Sequence, residues 1–118
     1  MTPAALFAEI EAASPGFSAV AKEHLRDNGE LLPHLLMADL LRYVGAALSV
    51  PASESEIRVV LAALDAAALC GNAETENVVA LSFCENLELE PFFPRLRPLL
   101  GLALLRFSRK RHTVTHAR

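Results

Sequence analysis

Apolar residues recur at helical spacing along this chain, and prolines cut that pattern into short lengths. Proline inside a helix removes a hydrogen bond and clashes with the turn before it, yet it suits the first turn. Thr2 before Pro3 and Ser14 before Pro15 each read as an N-cap followed by a proline start. A first helix is expected at 3–13, with Leu6, Phe7 and Ile10 on its apolar stripe. A second is expected at 16–28, with Phe17, Val20, Ala21 and Leu25 inward and Gly29 as the stop. The third spans 30–49 with Pro33 in its first turn. Its apolar residues, among them Leu36, Met37, Leu40, Leu41, Tyr43 and Val44, cover half the circumference, as befits a central helix. Glu30, His34, Asp39, Arg42 and Gly45 fall on the remaining arc, and Pro51 closes the segment.

Ser53 and Glu56 have the spacing of a capping box, opening a fourth helix whose stripe is Ile57, Val60, Leu61, Leu64 and Ala68. Cys70, Gly71 and Asn72 interrupt it. A fifth helix follows, capped by Asn72 or Thr75, with Val79, Phe83 and Leu87 on its core face. Pro91 and Pro94 make a break. A last helix is expected at 95–107 with Pro98 in its first turn. Composition agrees: the 118 residues include 20 Ala and 21 Leu against 8 Val and 2 Ile, which favours helix over strand. The expected fold is all-α, a compact single-domain bundle of about six short helices over 1–107. A basic tail at 108–118 follows.

No apolar run approaches the roughly 18 residues that a membrane span needs. Glu9 and Glu11 interrupt the N-terminal stretch, so no signal peptide is expected, and a cytoplasmic setting follows. Cys70 and Cys84 suit that setting as small buried apolar residues, with no disulfide expected between them. The net charge of −3 hides an asymmetry. Residues 1–90 carry all 14 acidic residues and four basic ones, a net of −10. Residues 91–118 carry the other seven bases and no acid, a net of +7.

Few residues suggest chemistry. No G-x-S-x-G turn and no glycine-rich phosphate loop is present, so no enzyme activity and no cofactor are expected. Acidic neighbours should raise the Cys84 thiol and leave it unreactive. Glu30 and His34, four apart, could share a helix face and hold a metal with His24. Two such ligands rarely complete a coordination shell, and the plain reading is a hydrogen-bonded histidine beside a first-turn acid. Asp39 has Arg42 and Tyr43 within helical reach, so it reads as an ion-paired residue or as a contact to a partner. Glu85, Asn86, Glu88 and Glu90 form an acidic patch near a helix end, where carboxylates oppose the macrodipole. They either pair with basic residues of the fold or face a basic partner. The run from Arg106 to His112 is the one basic cluster, a solvated tail or a contact to nucleic acid or anionic lipid.

The runs GELLPHLLMADL at 29–40, SFCENL at 82–87 and LRPLLG at 96–101 resemble a family of small all-helical bacterial proteins. That family is known only as a domain of unknown function. The resemblance covers about 7–107 and implies a bacterial cytosolic domain with no assigned activity or cofactor. By analogy with other small helical proteins of this kind, it suggests an immunity protein that binds and blocks a toxin. An acidic body suits a basic toxin such as a nuclease. The expected partner contacts are Glu30, His34, Asp39, Glu85, Asn86 and Glu88. The alternative is a small adaptor or regulator, dimeric or not, whose basic tail touches nucleic acid or a membrane surface.

Overall fold

The proline-marked boundaries are where the helices begin. The computed structural model describes residues 1–85 and 87–108. Helix α1 (Pro3–Ala13) is capped by Thr2, whose hydroxyl accepts the Ala5 N–H at 3.2 Å. Helix α2 (Pro15–Asn28) is capped by the Ser14 hydroxyl and ends at Gly29, which adopts φ +75°. A side chain there would strain the backbone, so glycine makes the tight exit from α2 possible. Helix α3 (Pro33–Ala47) is central, and α4 (Glu54–Cys70) follows a short 3-10 turn at Pro51–Ser53. Helix α5 (Ala73–Val79) is capped by Asn72 and runs on into a π-helical stretch at Ala80–Cys84. A 3-10 turn at Leu87–Leu89 leads to the short α6 (Phe93–Leu96) and a further 3-10 turn at Arg97–Leu99. The last helix described, α7, covers 102–108.

The fold is an all-α bundle, and no strand occurs among the described residues. Helix α1 packs on α2 and α4. Helix α3 packs on α2, α4, α5 and the π-helical stretch. One continuous core joins them, with Leu6, Ile10, Phe17, Leu40, Leu64 and Phe83 wholly buried. Each such side chain contributes about 1.5–3 kcal/mol of apolar burial, which is where the bundle gets most of its stability. The Cα radius of gyration of 13.6 Å is that of one domain of this length.

Five expectations are corrected. Leu25, expected inward on α2, is exposed, because Phe17, Ala21 and His24 occupy the buried face of that helix. The capping box at the start of α4 does not form. Ser53 closes the preceding 3-10 turn at φ −88°, ψ −2° and its side chain caps nothing. A box needs the extended backbone that this turn forbids. Helix α3 starts at Pro33, so Glu30 lies outside it. Proline pushes the residue before it out of the helical region, and Leu32 is extended at φ −110°, ψ 95°. Gly45 is buried, with its Cα against the Phe92 ring, and is no part of a polar arc. The single helix at 95–107 is split. Pro94 starts α6 two residues early, which moves Pro98 past the first turn, where it ends the α-helix.

The split is bridged from another helix. Asp65 of α4 accepts the Leu104 N–H at 3.1 Å, satisfying an N-terminal donor of α7 that no local side chain reaches. A Cβ on Gly101 would stand 2.3 Å from the Asp65 Cγ, so the close approach of α4 to this corner requires glycine. Replacing Asp65 by Ala is expected to lower the unfolding free energy by about 1 kcal/mol. Asp65→Asn, which keeps an acceptor, should lose less. Urea unfolding of the two variants beside the wild type checks this.

Candidate functional site

Two polar assemblies surround α3. The first is a node that ties three helices together. The Ser14 hydroxyl, at the α1–α2 corner and wholly buried, donates to Glu56 Oε2 on α4. The Tyr43 hydroxyl of α3 donates to the same carboxylate, at 3.1 Å from Oε2 and 3.3 Å from Oε1. The Tyr43 ring lies 6.1 Å from that of Phe17 on α2. Burial pushes the Tyr43 phenol above its ordinary value. The Glu56 carboxylate adds to the rise and the Ser14 hydroxyl partly opposes it.

The second assembly is an open cleft of about 620 Å³ between α2 and α3. Helix α2 lines it with Val20, Glu23, His24, Asp27 and Asn28. Helix α3 lines it with Leu35, Asp39, Arg42 and Tyr43. Asp39 pairs with Arg42, one helical turn on. Its other expected neighbour, Tyr43, turns to Glu56 instead. Glu23 and Asp27 have no ion-pair partner among the described residues. Three carboxylates against one guanidinium leave the cleft with a net negative field, which concave low-dielectric walls focus. The Arg42–Asp39 pair is exposed on its arginine side, so it is worth at most about 1 kcal/mol and can be exchanged for another cation.

The six sequence-derived contact residues are dispersed. Asp39 alone lines the cleft. His34 lies about 140° around α3 from it and is exposed. His34 Nδ1 is 2.6 Å from the Ser82 hydroxyl on the π-helical stretch. Glu30 is exposed on the α2–α3 connection. Glu85 and Glu88 are exposed beyond Cys84, and Asn86 lies outside the described residues. The proposed metal trio does not assemble. Glu30 is off the helix, His34 faces Ser82, and His24 Nε2 accepts the Leu32 N–H at 3.0 Å. Among the described residues no three His, Cys, Asp or Glu side chains converge on a metal position. Of the basic tail, Ser108 is buried and bonded to the Leu104 carbonyl at 3.1 Å, and 109–118 lie outside the described residues.

Sequence reading missed Glu23 and Asp27. A signal existed. The two acids stand four apart on α2, a spacing that costs helix stability, and Asp27 sits in the last turn where the dipole disfavours it. Residues that weaken their own helix invite a reading outside it.

These features define a small all-α domain with an open acidic cleft between α2 and α3 and a polar node at Glu56. No helix among the described residues is long and apolar enough to cross a membrane. The chain belongs to the family described as a domain of unknown function, DUF7674, whose model matches residues 7–113. No curated protein and no solved structure matches it.

Both cysteines are free thiols. Burial, rather than the adjacent glutamates, is the main force raising Cys84, with Asp65 adding to it and Ser108 opposing. The thiol is pushed up to about 12. Cys70 is exposed. A thiol reagent at mildly alkaline pH should therefore modify Cys70 quickly in the native protein and Cys84 only after denaturation. Mass spectrometry of the labelled peptides checks the order. Tyr43 is the chain's sole tyrosine, and there is no tryptophan, so phenolate absorbance reports it alone. Its titration should lie above that of the denatured chain. Because the folded state holds this proton more tightly, the stability it confers is complete below about pH 10 and falls as pH rises through the folded value. Urea midpoints across that range test the sign.

Proposed function

We propose that this protein is a non-enzymatic protein-binding module of the bacterial cytoplasm, an immunity protein that neutralises a basic toxin by occluding its active site. The observation that carries this reading is the α2–α3 cleft. It is concave, it holds Glu23, Asp27 and Asp39, and two of those carboxylates make no ion pair among the described residues. Unpaired surface acids on one helix oppose folding, and a basic partner would relieve that repulsion on binding. Val20, Leu35 and Tyr43 supply the apolar and aromatic surface that a binding centre uses. Complementary charge would speed encounter and select the partner by sign. Glu30, His34, Glu85 and Glu88 are exposed on other parts of the surface and stand as outer contacts.

Affinity capture from the source cell, with wild type and a Glu23→Lys, Asp27→Lys double variant, tests the proposal. One basic protein should be held in equal amount by the wild type. The variant should bind it about tenfold or more weakly, with unchanged helical content. Equal capture by both proteins would remove the cleft from the interface. Capture of nucleic acid or of a second copy alone would favour the adaptor reading, in which the basic tail makes the contact.

A further inference from the structure

His24 is only 4% exposed, yet its ring is not a passive core residue. Its Nε2 accepts the main-chain N–H of Leu32 at 3.0 Å, across the turn made by Gly29. The Leu32 N–H at 3.0 Å is the closer of two donors at the ring, the Asn28 amide nitrogen lying 3.4 Å from Nδ1, so Nε2 is taken as the bare nitrogen and the ring hydrogen is assigned to Nδ1. The Asn28 side-chain amide donates to the His24 carbonyl at 2.9 Å, holding the last turn of α2 beneath the ring. Leu32 is the N-cap residue of α3, and its own side chain makes no capping hydrogen bond. Among the described residues no other hydrogen bond joins 30–32 to α2.

We infer that His24 is a proton-sensitive latch on the α2–α3 connection. A proton taken up at Nε2 turns the acceptor into a donor, and two N–H groups then face each other. The same proton places a charge on a buried ring. Opening the connection relieves both costs, since it frees the Leu32 N–H and lets water reach the imidazolium. From α2, Glu23 and Asp27 line the cleft beside the ring. From α3 come Asp39, Arg42 and Tyr43, with Arg42 already paired to Asp39. Helix α1, on the other side of α2, bears Glu9 and Glu11 as its charged residues, and Glu11 accepts the Ser18 hydroxyl. Helix α2 also carries Lys22 and Arg26, which offset Glu23 and Asp27 in number, and Glu30 stands on the connection itself, so the conflict at Nε2 rather than the surrounding charge decides the outcome. Opening would move Leu35 and Asn28 at one end of the cleft, making its shape depend on pH.

The test is amide hydrogen exchange by NMR on the full chain, corrected for intrinsic rates, at about pH 7.5 and about pH 5, which span the range where histidine changes charge. Leu32 protection should fall about tenfold or more at the lower pH, while core amides such as that of Leu64 keep theirs. The His24 ring nitrogens, observed in the same samples, should pass from the Nδ1-protonated tautomer to the doubly protonated form as Leu32 opens. In a His24→Gln variant, whose side-chain amide can accept but not titrate, Leu32 protection should be independent of pH. Should that variant fail to fold, the wild-type ring and amide signals still decide. A ring that protonates with Leu32 still protected overturns the latch. So does a ring that remains neutral at about pH 5, or a His24→Gln protein that opens as the wild type does.

Discussion

The carboxylate of Glu56 is the fixed point of the bundle. It accepts hydrogen bonds from Ser14 at the α1–α2 corner and from Tyr43 on α3, while belonging to α4 itself. Apolar contact between helices is tolerant of small slides and rotations. A buried hydroxyl is not, because losing its acceptor costs about 1–3 kcal/mol. The node thus selects one packing from the several that a Leu- and Ala-rich core would accept. It also sets the cleft. Tyr43 is held at its hydroxyl end, so its ring stands as a wall facing α2.

Most of the fold was legible because most of its instructions are local. Pro3, Pro15 and Pro33 each act within their own turn, Gly29 ends α2 by its backbone conformation, and Asn72 caps α5 from one residue outside it. The inward stripe of α4 can be read from spacing, since Ile57, Val60, Leu61, Leu64 and Ala68 are all buried. What escaped was long-range polar bonding. Glu56 has the spacing of a local cap and serves two other helices. Asp65 looks like a surface acid and caps α7. His24 looks like a metal candidate and holds a backbone N–H eight residues away. No periodicity encodes such pairs, because each partner is fixed by how the helices meet. The cleft was half visible for the same reason. Asp39 stood out on α3, but the two acids opposite it gain meaning only when α2 lies alongside.

Helix stability and surface charge are set against each other along α2. Glu23 and Asp27 repel at helical spacing, and Asp27 faces the unfavourable end of the dipole. Phe17 and Ala21 on the inner face, with the buried ring of His24, hold the helix regardless. An outer face that weakens its own helix is tolerable only where an inner face is firmly packed. That division lets a chain of this size present like charges without unravelling.

The link between Asp65 and Leu104 has a consequence for the order of events as the chain folds. A helix beginning after a proline-rich break must form its first turn before any hydrogen bond repays the cost. For α7 a donor of that first turn finds its acceptor 39 residues earlier, on α4. Until α4 is in place against the core, this end of the chain has no template on which to nucleate. Helix α7 should then dock after α4 during synthesis and leave before it when the protein opens. Over this stretch, the order of assembly would run in the direction of the sequence, with α4 as the platform on which α7 is laid.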